Sequence, residues 1–479
     1  MKITLVITAG SFHEYSAPLG YLYVAAKLIK AGYEVNVINA SIEGRNTEKY
    51  LFDVISACGP DIVITGTSYK FFNNCPSPTI KSAIEVSNLV KRIRSEIHTV
   101  IIGPINILYE NLLLKNESIN MLVLGEPENI CLDVARAIEK GEDLQKVKGL
   151  SLRRENKITR TGKTTYPNLE NIPIPARDEI DFGRYIAQSH FSSRTAEMIT
   201  SRGCNFNCSF CFGALGSKRH DNNVGRNYRY FPAKKVVEEI GILRNKWNIN
   251  GIEFQDQEFC MSKSRVVILC EEILRKGYQN ICWRAATRIT SMDRDLLSLM
   301  YRAGCRSIYY GVESGDVSML NKINKGIDLN KVRSVFKDTM SEGIRPEASF
   351  LLGMPGETEE TLGKTIKLAL DIDAFAVSFH LFVPYPGILL EDQLVMENES
   401  DIDQWNVYRQ NEKVSCCDIP AEKLRQLSKM AYRRFYMRPK YIKMLFRTSI
   451  TSPRLVKFMV SALRGKLRGG LIKELMFGD

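Results

Sequence analysis

The sequence predicts an α/β protein in which a doubly wound parallel sheet is followed by a partial (β/α)6 TIM-like barrel and a helical tail. Two observations carry this prediction. Short apolar runs alternate with helical segments near the N-terminus, and strand–helix units recur after a proline-containing stretch. A chain of 479 residues has room for about two to three domains. The predicted divisions are residues 1–140 (first sheet), 141–194 (linker with a small hairpin), 195–400 (barrel) and 401–479 (basic helical region).

Five apolar runs predict the strands of the first sheet, with a helix over residues 19–31 between the first two. No GxGxxG follows the first run, and no GxxxxGK(S/T) occurs, which disfavours dinucleotide and nucleoside triphosphate binding. The runs are Ile3–Ile7, Glu34–Ile38, Asp61–Thr65, His98–Ile102 and Asn120–Leu124. Ligands of such sheets lie beyond the carboxyl ends of the strands. The candidate contacts there are Thr8, Thr67, Ser68, Gly103, Gly125 and Glu126.

The next stretch predicts a boundary. Residues 148–153 and 157–160 have the pattern of a small hairpin, and residues 171–177 form an extended, proline-containing linker. Strand–helix units then recur, as in a barrel whose chemistry lies at the carboxyl ends of its strands. The predicted barrel strands are 197–203, 251–257, 281–286, 307–315, 347–353 and 375–383.

The first barrel strand leads into a loop in which three cysteines lie within eight residues: Cys204, Cys208 and Cys211. Thiolates bind iron–sulfur clusters and soft metals. Three cysteines fill three corners of a four-iron cluster, and the next cysteine is far along the chain at Cys260. An iron with an open site can bind and activate a small molecule. Structural zinc is the alternative, but it takes four ligands, commonly as paired CxxC units, and no second pair is present.

The segment Ser201–Cys211 resembles the cluster loop of radical S-adenosylmethionine (SAM) enzymes, which has the pattern CxxxCx(aromatic)C. The resemblance implies a [4Fe-4S] cluster whose open iron is chelated by the amino and carboxylate groups of SAM. It also implies reductive cleavage of SAM to methionine and a 5′-deoxyadenosyl radical. Phe210 occupies the aromatic position, which the resemblance places near the adenine.

SAM presents an amine, a carboxylate, a ribose diol and an adenine, and polar groups after the later strands can meet each of them. Acceptors for the amine are Asp256 and Gln257, and Arg288 can meet the carboxylate. The segments GVESG (311–315) and GMPGE (353–357) match the family's later-strand motifs. They add Glu313 and Ser314 for the diol or methionine moiety, and Gly353 for close backbone approach. Each of these residues could instead be an ordinary solvated loop residue.

The first sheet resembles the N-terminal cobalamin-binding domain of one class of radical SAM enzymes. The pieces that carry this resemblance are residues 18–21, 31–37 and 124–128, in that order ahead of the cysteine loop. Many cobalamin domains have DxHxxG, whose histidine ligates cobalt, and His13 does not fit that motif. The resemblance therefore implies cobalamin without a protein histidine ligand. A sheet domain that binds no cofactor is the alternative.

The formal charge of +12 is concentrated near the C-terminus, where residues 418–479 hold fifteen Lys/Arg and four Asp/Glu, or 15 − 4 = +11. Residues 455–468 place Leu455, Phe458, Met459, Ala462 and Leu463 near one helical face. A basic amphipathic helix is typical of peripheral contact with an anionic membrane. A helix packed on the barrel is the equal alternative, and nucleic acid ranks third because no recognition motif accompanies the charge.

These patterns predict a cobalamin-dependent radical SAM enzyme that methylates an unactivated carbon in a lipid-like or natural-product substrate. The rivals are a radical cyclase or rearrangement enzyme with the same cofactors, a methylthiotransferase and a non-enzymatic iron–sulfur electron carrier. The implied partners are a small-molecule or lipid-like substrate and an external electron donor such as flavodoxin or ferredoxin. Free thiolates and the absence of a signal-peptide pattern or a long apolar run predict a reducing, cytoplasmic location.

Overall fold

The computed structural model describes residues 1–7, 16–40, 47–68, 79–154, 157–214, 227–372, 374–382, 388 and 415–443. Three features singled out in the sequence lie outside these residues: Thr8, His13 and the amphipathic segment 455–468. None of the helices in the described ranges is both long and apolar enough to span a bilayer.

The N-terminal sheet has the predicted parallel strands, because their apolar runs are buried on both faces beneath helices. The strand order is β2-β1-β3-β4-β5-β6-β7, and the pairings from β2 through β5 are parallel. Its elements are β1 Lys2–Ile7, α1 Leu19–Lys30, β2 Glu34–Asn39, α2 Glu48–Cys58, β3 Ile62–Gly66, α3 Ile80–Ile93, β4 His98–Ile102, α4 Glu110–Lys115, β5 Met121–Val123, α5 Pro127–Lys140, β6 Leu150–Arg154 and β7 Lys157–Arg160.

The predicted hairpin is present, but it is part of the first sheet rather than of a linker. Strand β6 pairs antiparallel with β5, and β7 pairs antiparallel with β6. The edge of the sheet is thereby extended, and Arg160 on β7 binds Glu110 of α4 through paired hydrogen bonds. The first sheet consequently continues past the boundary predicted at residue 140.

The second sheet has six parallel strands in the order β15-β14-β13-β12-β11-β8. Their number and sequential order agree with those predicted for a partial (β/α)6 barrel. The remaining elements are β8 Thr195–Met198, β9 Ser201–Arg202, β10 Arg229–Tyr230, α6 Ala233–Trp247, β11 Gly251–Phe254, α7 Lys263–Arg275, β12 Cys282–Thr287, α8 Arg294–Arg302, β13 Cys305–Glu313, α9 Val317–Lys322, α10 Leu329–Ser341, β14 Arg345–Leu352, α11 Glu359–Asp371, β15 Ala376–Leu381 and α12 Ala421–Tyr436.

Alternate residues of the second sheet's strands are buried under the surrounding helices, as the burial pattern of β12 shows. Trp283 is an example: it is buried, and its indole N–H donates to the carbonyl of Ala303 at 2.7 Å. The intervening residues form the opposite face of the sheet. Several of these are charged or polar, which matters for the candidate site below.

Helix α12 protects the outer edge of the second sheet, where β15 would otherwise expose unpaired backbone groups. The hydroxyl of Tyr436 accepts from the Val377 N–H (3.0 Å) and donates to the Val377 carbonyl (2.8 Å). The hydroxyl of Tyr432 does the same for Phe379, at 2.9 and 3.2 Å. Two side chains of a helix therefore replace part of a missing strand.

We expect Tyr436→Phe to lower the free energy of unfolding by about 1–3 kcal/mol, because both backbone groups of Val377 lose their partner while the ring remains. Chemical denaturation followed by circular dichroism measures the change. Tyr301→Phe, which removes a hydroxyl from an exposed ring on α8, is the matched control and should change stability by less than about 0.5 kcal/mol. Equal effects of the two substitutions would contradict this account of the edge.

Candidate active site

The cysteine loop begins directly after β9, which pairs antiparallel with β10. Gly203 has φ +83°, a conformation that favours glycine, and it turns the chain into the loop. Cys208 is buried, whereas Cys204 and Cys211 are half-buried. Ser209 ties the loop to the segment after α9, through its N–H to the Ile323 carbonyl (3.0 Å) and its hydroxyl to the Lys322 carbonyl (3.2 Å).

Within the described residues, no three Cys, His, Asp or Glu side chains converge on a point that would suit a single metal ion. The ligands of a four-iron cluster do not have to converge on one point, because each cysteine ligates a different iron. The three sulfurs need only surround the same space. The surroundings of the loop fit such an anionic group. Arg288 Nη1 lies 3.0 Å from Cys208 Sγ, and its guanidinium carbon lies 3.9 Å from the Phe206 ring centroid. Its Nε has no hydrogen-bond partner among the described residues.

The electrostatics of the loop explain why it needs this arginine. The pKa of the Cys204 thiol is raised to about 11, mainly by burial and with smaller contributions from Glu258 and Cys208, while a backbone hydrogen bond at Phe206 and nearby Arg288 lower it. Burial also raises the pKa of the Glu258 carboxyl, which accepts a hydrogen bond from the Thr287 hydroxyl. Without a metal Cys204 therefore favours the thiol, and iron must displace its proton to bind. Arg288 partly offsets the cost of the resulting negative charge.

The end of β13 lies beside the loop. Glu313 has φ +69°, an uncommon conformation for a non-glycine residue, and its carboxylate accepts from Lys325 Nζ at 2.8 Å. Both side chains are nearly buried. Lys325 Nζ also lies 5.7 Å from the Phe210 ring centroid. The structure thus brings Glu313 and Phe210, two of the predicted SAM contacts, close to the same lysine.

Two other predicted SAM contacts have partners within the protein. The Asp256 carboxylate accepts from the Thr200 N–H (2.6 Å) and the Ser201 hydroxyl (2.8 Å), and it lies 3.5 Å from Arg265 Nη2. These contacts hold the strand that leads into the cysteine loop. The buried Ser314 hydroxyl accepts from the Asp316 N–H at 3.1 Å and lies 3.1 Å from the Thr365 hydroxyl of α11. This geometry favours a positioning role for both residues, and direct contact with SAM stays a prediction.

The remaining predicted SAM contacts differ in their surroundings. Gln257 is half-buried just after β11. Gly353 has φ +84°, and a Cβ there would meet Leu424 of α12 at 2.5 Å, so close packing of this helix explains the glycine. The N–H of Gly353 donates to the carboxylate of Glu357, whose side chain is fully buried. Burial raises the pKa of Glu357 to about 7.

The carboxyl edge of the first sheet brings some of its predicted contacts together. The Thr67 hydroxyl donates to the Asn106 side-chain oxygen (2.6 Å), and a Cβ on Gly103 would meet Thr67 Oγ1 at 2.0 Å. Ser68, the residue after Thr67, is also buried. Gly125 instead packs against Thr164 and Ile130.

Glu126, also predicted to contact cobalamin, is engaged elsewhere. Its Oε2 accepts from Arg202 Nη1 at 2.7 Å, and its Oε1 pairs with Arg229 Nη2. Both carboxylate oxygens are therefore already bound to arginines. This geometry favours a role for Glu126 at the junction between the two sheets, and its contact with cobalamin stays a prediction.

The polar face of the second sheet lies within the strands rather than in the segments after them. Arg284 on β12 binds Glu347 on β14 at 2.9 Å and pairs with Glu253 on β11. Further along this face, the Tyr309 hydroxyl lies 3.1 Å from His380 Nε2. Burial raises the pKa of Tyr309 to about 12. The alternation of polar and apolar residues within these strands was the sequence signal that could have identified this face.

Comparison with known proteins agrees with this geometry. Residues 198–369 match the model of the Radical SAM superfamily. This segment is a radical SAM domain. The resemblance inferred from the cysteine loop is thereby confirmed, and the domain holds the three cysteines, Arg288 and the Glu313–Lys325 pair described above.

Similarity to known proteins extends well beyond the radical SAM domain. An uncharacterized methyltransferase of Pyrococcus horikoshii is 29% identical over 429 residues, covering 89% of this chain and 89% of that protein. The anaerobic magnesium-protoporphyrin IX monomethyl ester cyclase of Rubrivivax gelatinosus is 26% identical over 470 residues, covering 95% of this chain and 80% of the cyclase.

A solved structure shares the α/β fold. The radical SAM methyltransferase TsrM of Kitasatospora setae, with cobalamin and a [4Fe-4S] cluster bound, has a TM-score of 0.70 and 19% identity. The match covers 83% of this chain and 79% of TsrM, so it includes more than the radical SAM domain. TsrM has also been solved with tryptophan substrate and a SAM analogue.

The buried Glu357 gives a pH prediction. Its folded pKa of about 7 exceeds the ordinary value of 4.5, so the folded state holds a proton that the unfolded state releases between these values. Stability should therefore fall as pH rises from about 4.5 to 7, by on the order of 2–3 kcal/mol. Glu357→Gln cannot ionise, and we expect it to become more stable relative to the wild type at pH 8 than at pH 5.

Denaturation at both pH values tests the role of Glu357. Glu360→Gln, which alters an exposed carboxylate near the start of α11, is the matched control. Its stability relative to the wild type should change much less between pH 5 and pH 8. Parallel pH dependences of the wild type and Glu357→Gln would show that Glu357 is ionised in the folded protein at both values.

Proposed function

We propose that this chain is a cobalamin-dependent radical SAM enzyme that methylates an unactivated carbon of a lipid-like or natural-product substrate. The cysteine loop carries this proposal, because it lies in a radical SAM domain and is joined directly to the carboxyl edge of a parallel sheet. The methyltransferase name of the archaeal relative supports methyl transfer. Cobalamin and a [4Fe-4S] cluster in TsrM support the two cofactors.

When bound, the cluster and cobalamin supply, respectively, the electron that cleaves SAM to a 5′-deoxyadenosyl radical and the methyl group that is transferred. The chain's own residues hold and orient these groups. Cys204, Cys208 and Cys211 would each ligate one iron. Arg288 would balance their negative charge and meet the SAM carboxylate, and Glu313 would meet the diol or methionine moiety.

The carboxyl edge of the first sheet would bind cobalamin, and the polar face of the second sheet would bind substrate. Thr67, Ser68 and Gly103 would contact cobalamin at the carboxyl edge of the first sheet, where doubly wound sheets bind their ligands. The polar face of the second sheet, which we propose curves into a partial barrel, would bind substrate. The Tyr309–His380 pair on that face can donate to or accept from a polar group of the substrate.

The proposal also includes the source of the electron and the location of the protein in the cell. SAM cleavage consumes an electron from outside the protein, and flavodoxin or ferredoxin would supply it. The loop cysteines form no disulfide within the described residues, which favours a reducing compartment such as the cytoplasm. The charge of the C-terminal residues, +11 over residues 418–479, supports peripheral contact with an anionic membrane.

A radical cyclase is the second candidate, because the Rubrivivax gelatinosus cyclase matches 95% of this chain. Both functions need the same cluster and SAM, so the fate of the methyl group separates them. Anaerobic turnover with methyl-labelled SAM in an extract of the source cells should give a product that retains the label if the enzyme is a methyltransferase. A cyclase would give an unlabelled product.

We expect the triple variant Cys204→Ala, Cys208→Ala, Cys211→Ala to bind no four-iron cluster after anaerobic reconstitution and to form no 5′-deoxyadenosine from SAM. Each substitution removes the thiolate of one proposed corner. Iron counting and electron paramagnetic resonance measure cluster loss, and Cys282→Ala, a half-buried cysteine outside the loop, is the control. A four-iron cluster retained by the triple variant would place the site elsewhere.

We also expect bound cobalamin to have no protein imidazole on cobalt. Residues 1–140 contain two histidines, His13 and His98. His98 opens β4, so it lies at the end of the strand opposite to the ligand edge. The paramagnetic resonance spectrum of the cobalt(II) form should therefore lack coupling to an imidazole nitrogen.

One result would contradict the absence of a protein ligand on cobalt, and another would contradict cobalamin binding itself. The first is nitrogen coupling that disappears in His13→Ala, which would identify His13 as a ligand. The second is purified protein that retains no cobalamin when the vitamin is supplied during expression. His98→Ala is the control and should leave the spectrum unchanged.

A further inference from the structure

The residue that precedes the cysteine loop joins the two sheets. Arg202 lies two positions before Cys204, and its side chain is only 1% exposed. Its Nη1 donates to Glu126 at 2.7 Å and its Nη2 donates to Glu128 at 2.5 Å. Both carboxylates belong to the first sheet's domain, where Glu126 is the N-cap of α5 and Glu128 lies in its first turn. One guanidinium thus binds two carboxylates of the first domain.

A second arginine reinforces this contact. Arg229 is the cross-strand partner of Arg202 in the β9–β10 pair, and it also binds Glu126. Its Nη1 donates in addition to the Pro167 carbonyl at 3.2 Å. The short strand pair that leads into the cysteine loop is therefore held by Glu126 from both of its strands.

The other end of the loop is anchored by apolar contact. Phe212, which directly follows Cys211, is 5% exposed and packs in a cluster otherwise formed by residues of the first domain. The buried members of that cluster are Ile80, Ala83, Ile101, Ile105, Leu113, Leu114, Ile119 and Leu122. The cysteine loop is consequently attached to the first domain at both of its ends.

Aromatic rings keep water away from the charged anchor. The guanidinium carbon of Arg202 lies 5.0 Å from the Tyr23 ring centroid and 5.7 Å from that of Phe231. These two rings stack on each other at 5.9 Å between centroids, and Tyr23 belongs to α1 of the first domain. Burial raises the pKa of the Tyr23 hydroxyl, as expected for a dry site.

The anchor lies next to the proposed cobalamin contacts. Strands β3, β4 and β5 are neighbours in the first sheet, so the segments after them lie side by side along its carboxyl edge. Thr67 follows β3, Gly103 follows β4 and Glu126 lies just beyond β5. The edge that would hold one cofactor therefore also holds the loop that would bind the other.

A buried ion pair is poor evidence for stability alone, because apolar side chains of similar size often serve as well. Two carboxylates bound to one planar guanidinium fix the orientation of the groups that they join, since both hydrogen bonds have fixed directions. We propose that Arg202 is a positioning residue that, with Phe212, clamps the cysteine loop against the carboxyl edge of the first sheet. This clamp sets the position of the loop relative to the first domain. Its consequence for cofactor spacing rests on the proposed function, but the clamping itself does not.

Hydrogen–deuterium exchange of the apoprotein tests the clamp without any cofactor. We expect Arg202→Met to raise amide exchange across residues 201–212 about tenfold or more, because that segment loses a charge-assisted anchor. Arg202→Lys should have a smaller effect, since one ammonium keeps the charge but not the paired geometry. Phe212→Ala should raise exchange in the same segment through the independent apolar anchor.

The matched control is Arg177→Met. Arg177 is also a buried arginine, paired with Glu239 of α6 at 2.6 Å, but it lies in the segment before β8 rather than beside the loop. It should destabilise the protein while leaving exchange of residues 201–212 unchanged relative to other segments. If both arginine variants raise exchange everywhere by the same factor, Arg202 is merely structural and the proposal is overturned.

Iron release provides a second readout. After anaerobic reconstitution, we expect Arg202→Met and Phe212→Ala to lose iron to a chelator about tenfold faster than Arg177→Met, because a loosened loop exposes its ligands more often. Equal rates in the three variants would overturn the proposal. If Arg202→Met does not fold, Arg202→Lys and Phe212→Ala carry both measurements. A protein that binds no cluster would refute the proposed function, whereas exchange in the apoprotein would still decide the clamp.

Discussion

The buried contact of Arg202 with Glu126 and Glu128 is the constraint on which the arrangement of the two domains depends. It connects the strand before the cysteine loop to the first turn of α5, and so to the carboxyl edge of the first sheet. Leaving either carboxylate unpaired in this dry environment would be costly. The contact therefore favours an arrangement in which the segment after β8 meets the carboxyl edge of the first sheet.

Three positively charged side chains lie near the cysteine loop, and each has different partners. Arg202 faces the first domain, Arg288 faces the Cys208 sulfur, and Lys325 lies between Glu313 and Phe210. A cluster with three thiolates, bound to the carboxylate of SAM, would concentrate negative charge at this point. Arginine and lysine side chains that are already held by carboxylates or rings can balance that charge with little reorganisation.

The sequence predicted the strands and the cysteine loop well because these features are local. Apolar runs determine where a buried strand lies, and the spacing of Cys204, Cys208 and Cys211 is visible in the chain itself. The protein partners of Glu126 and Asp256 could not be predicted because they are distant in sequence: Arg202 for Glu126, Thr200 for Asp256. A carboxylate after a strand looks the same in sequence whether it meets a ligand or another strand.

Under the proposed function, the polar face of the second sheet would let one domain combine a radical with a selective substrate site. Arg284 binds both Glu253 and Glu347 there, so each of these three charged groups has a partner, and together they carry +1 − 2 = −1. Tyr309 and His380 lie further along, bonded to each other, and each retains capacity for a further hydrogen bond. Such a face can orient a polar substrate by directed hydrogen bonds. Because the paired charges hold this face in place, it could present a reactive carbon to the cluster in one orientation. A radical reaction depends more on this orientation than on tight binding of the substrate.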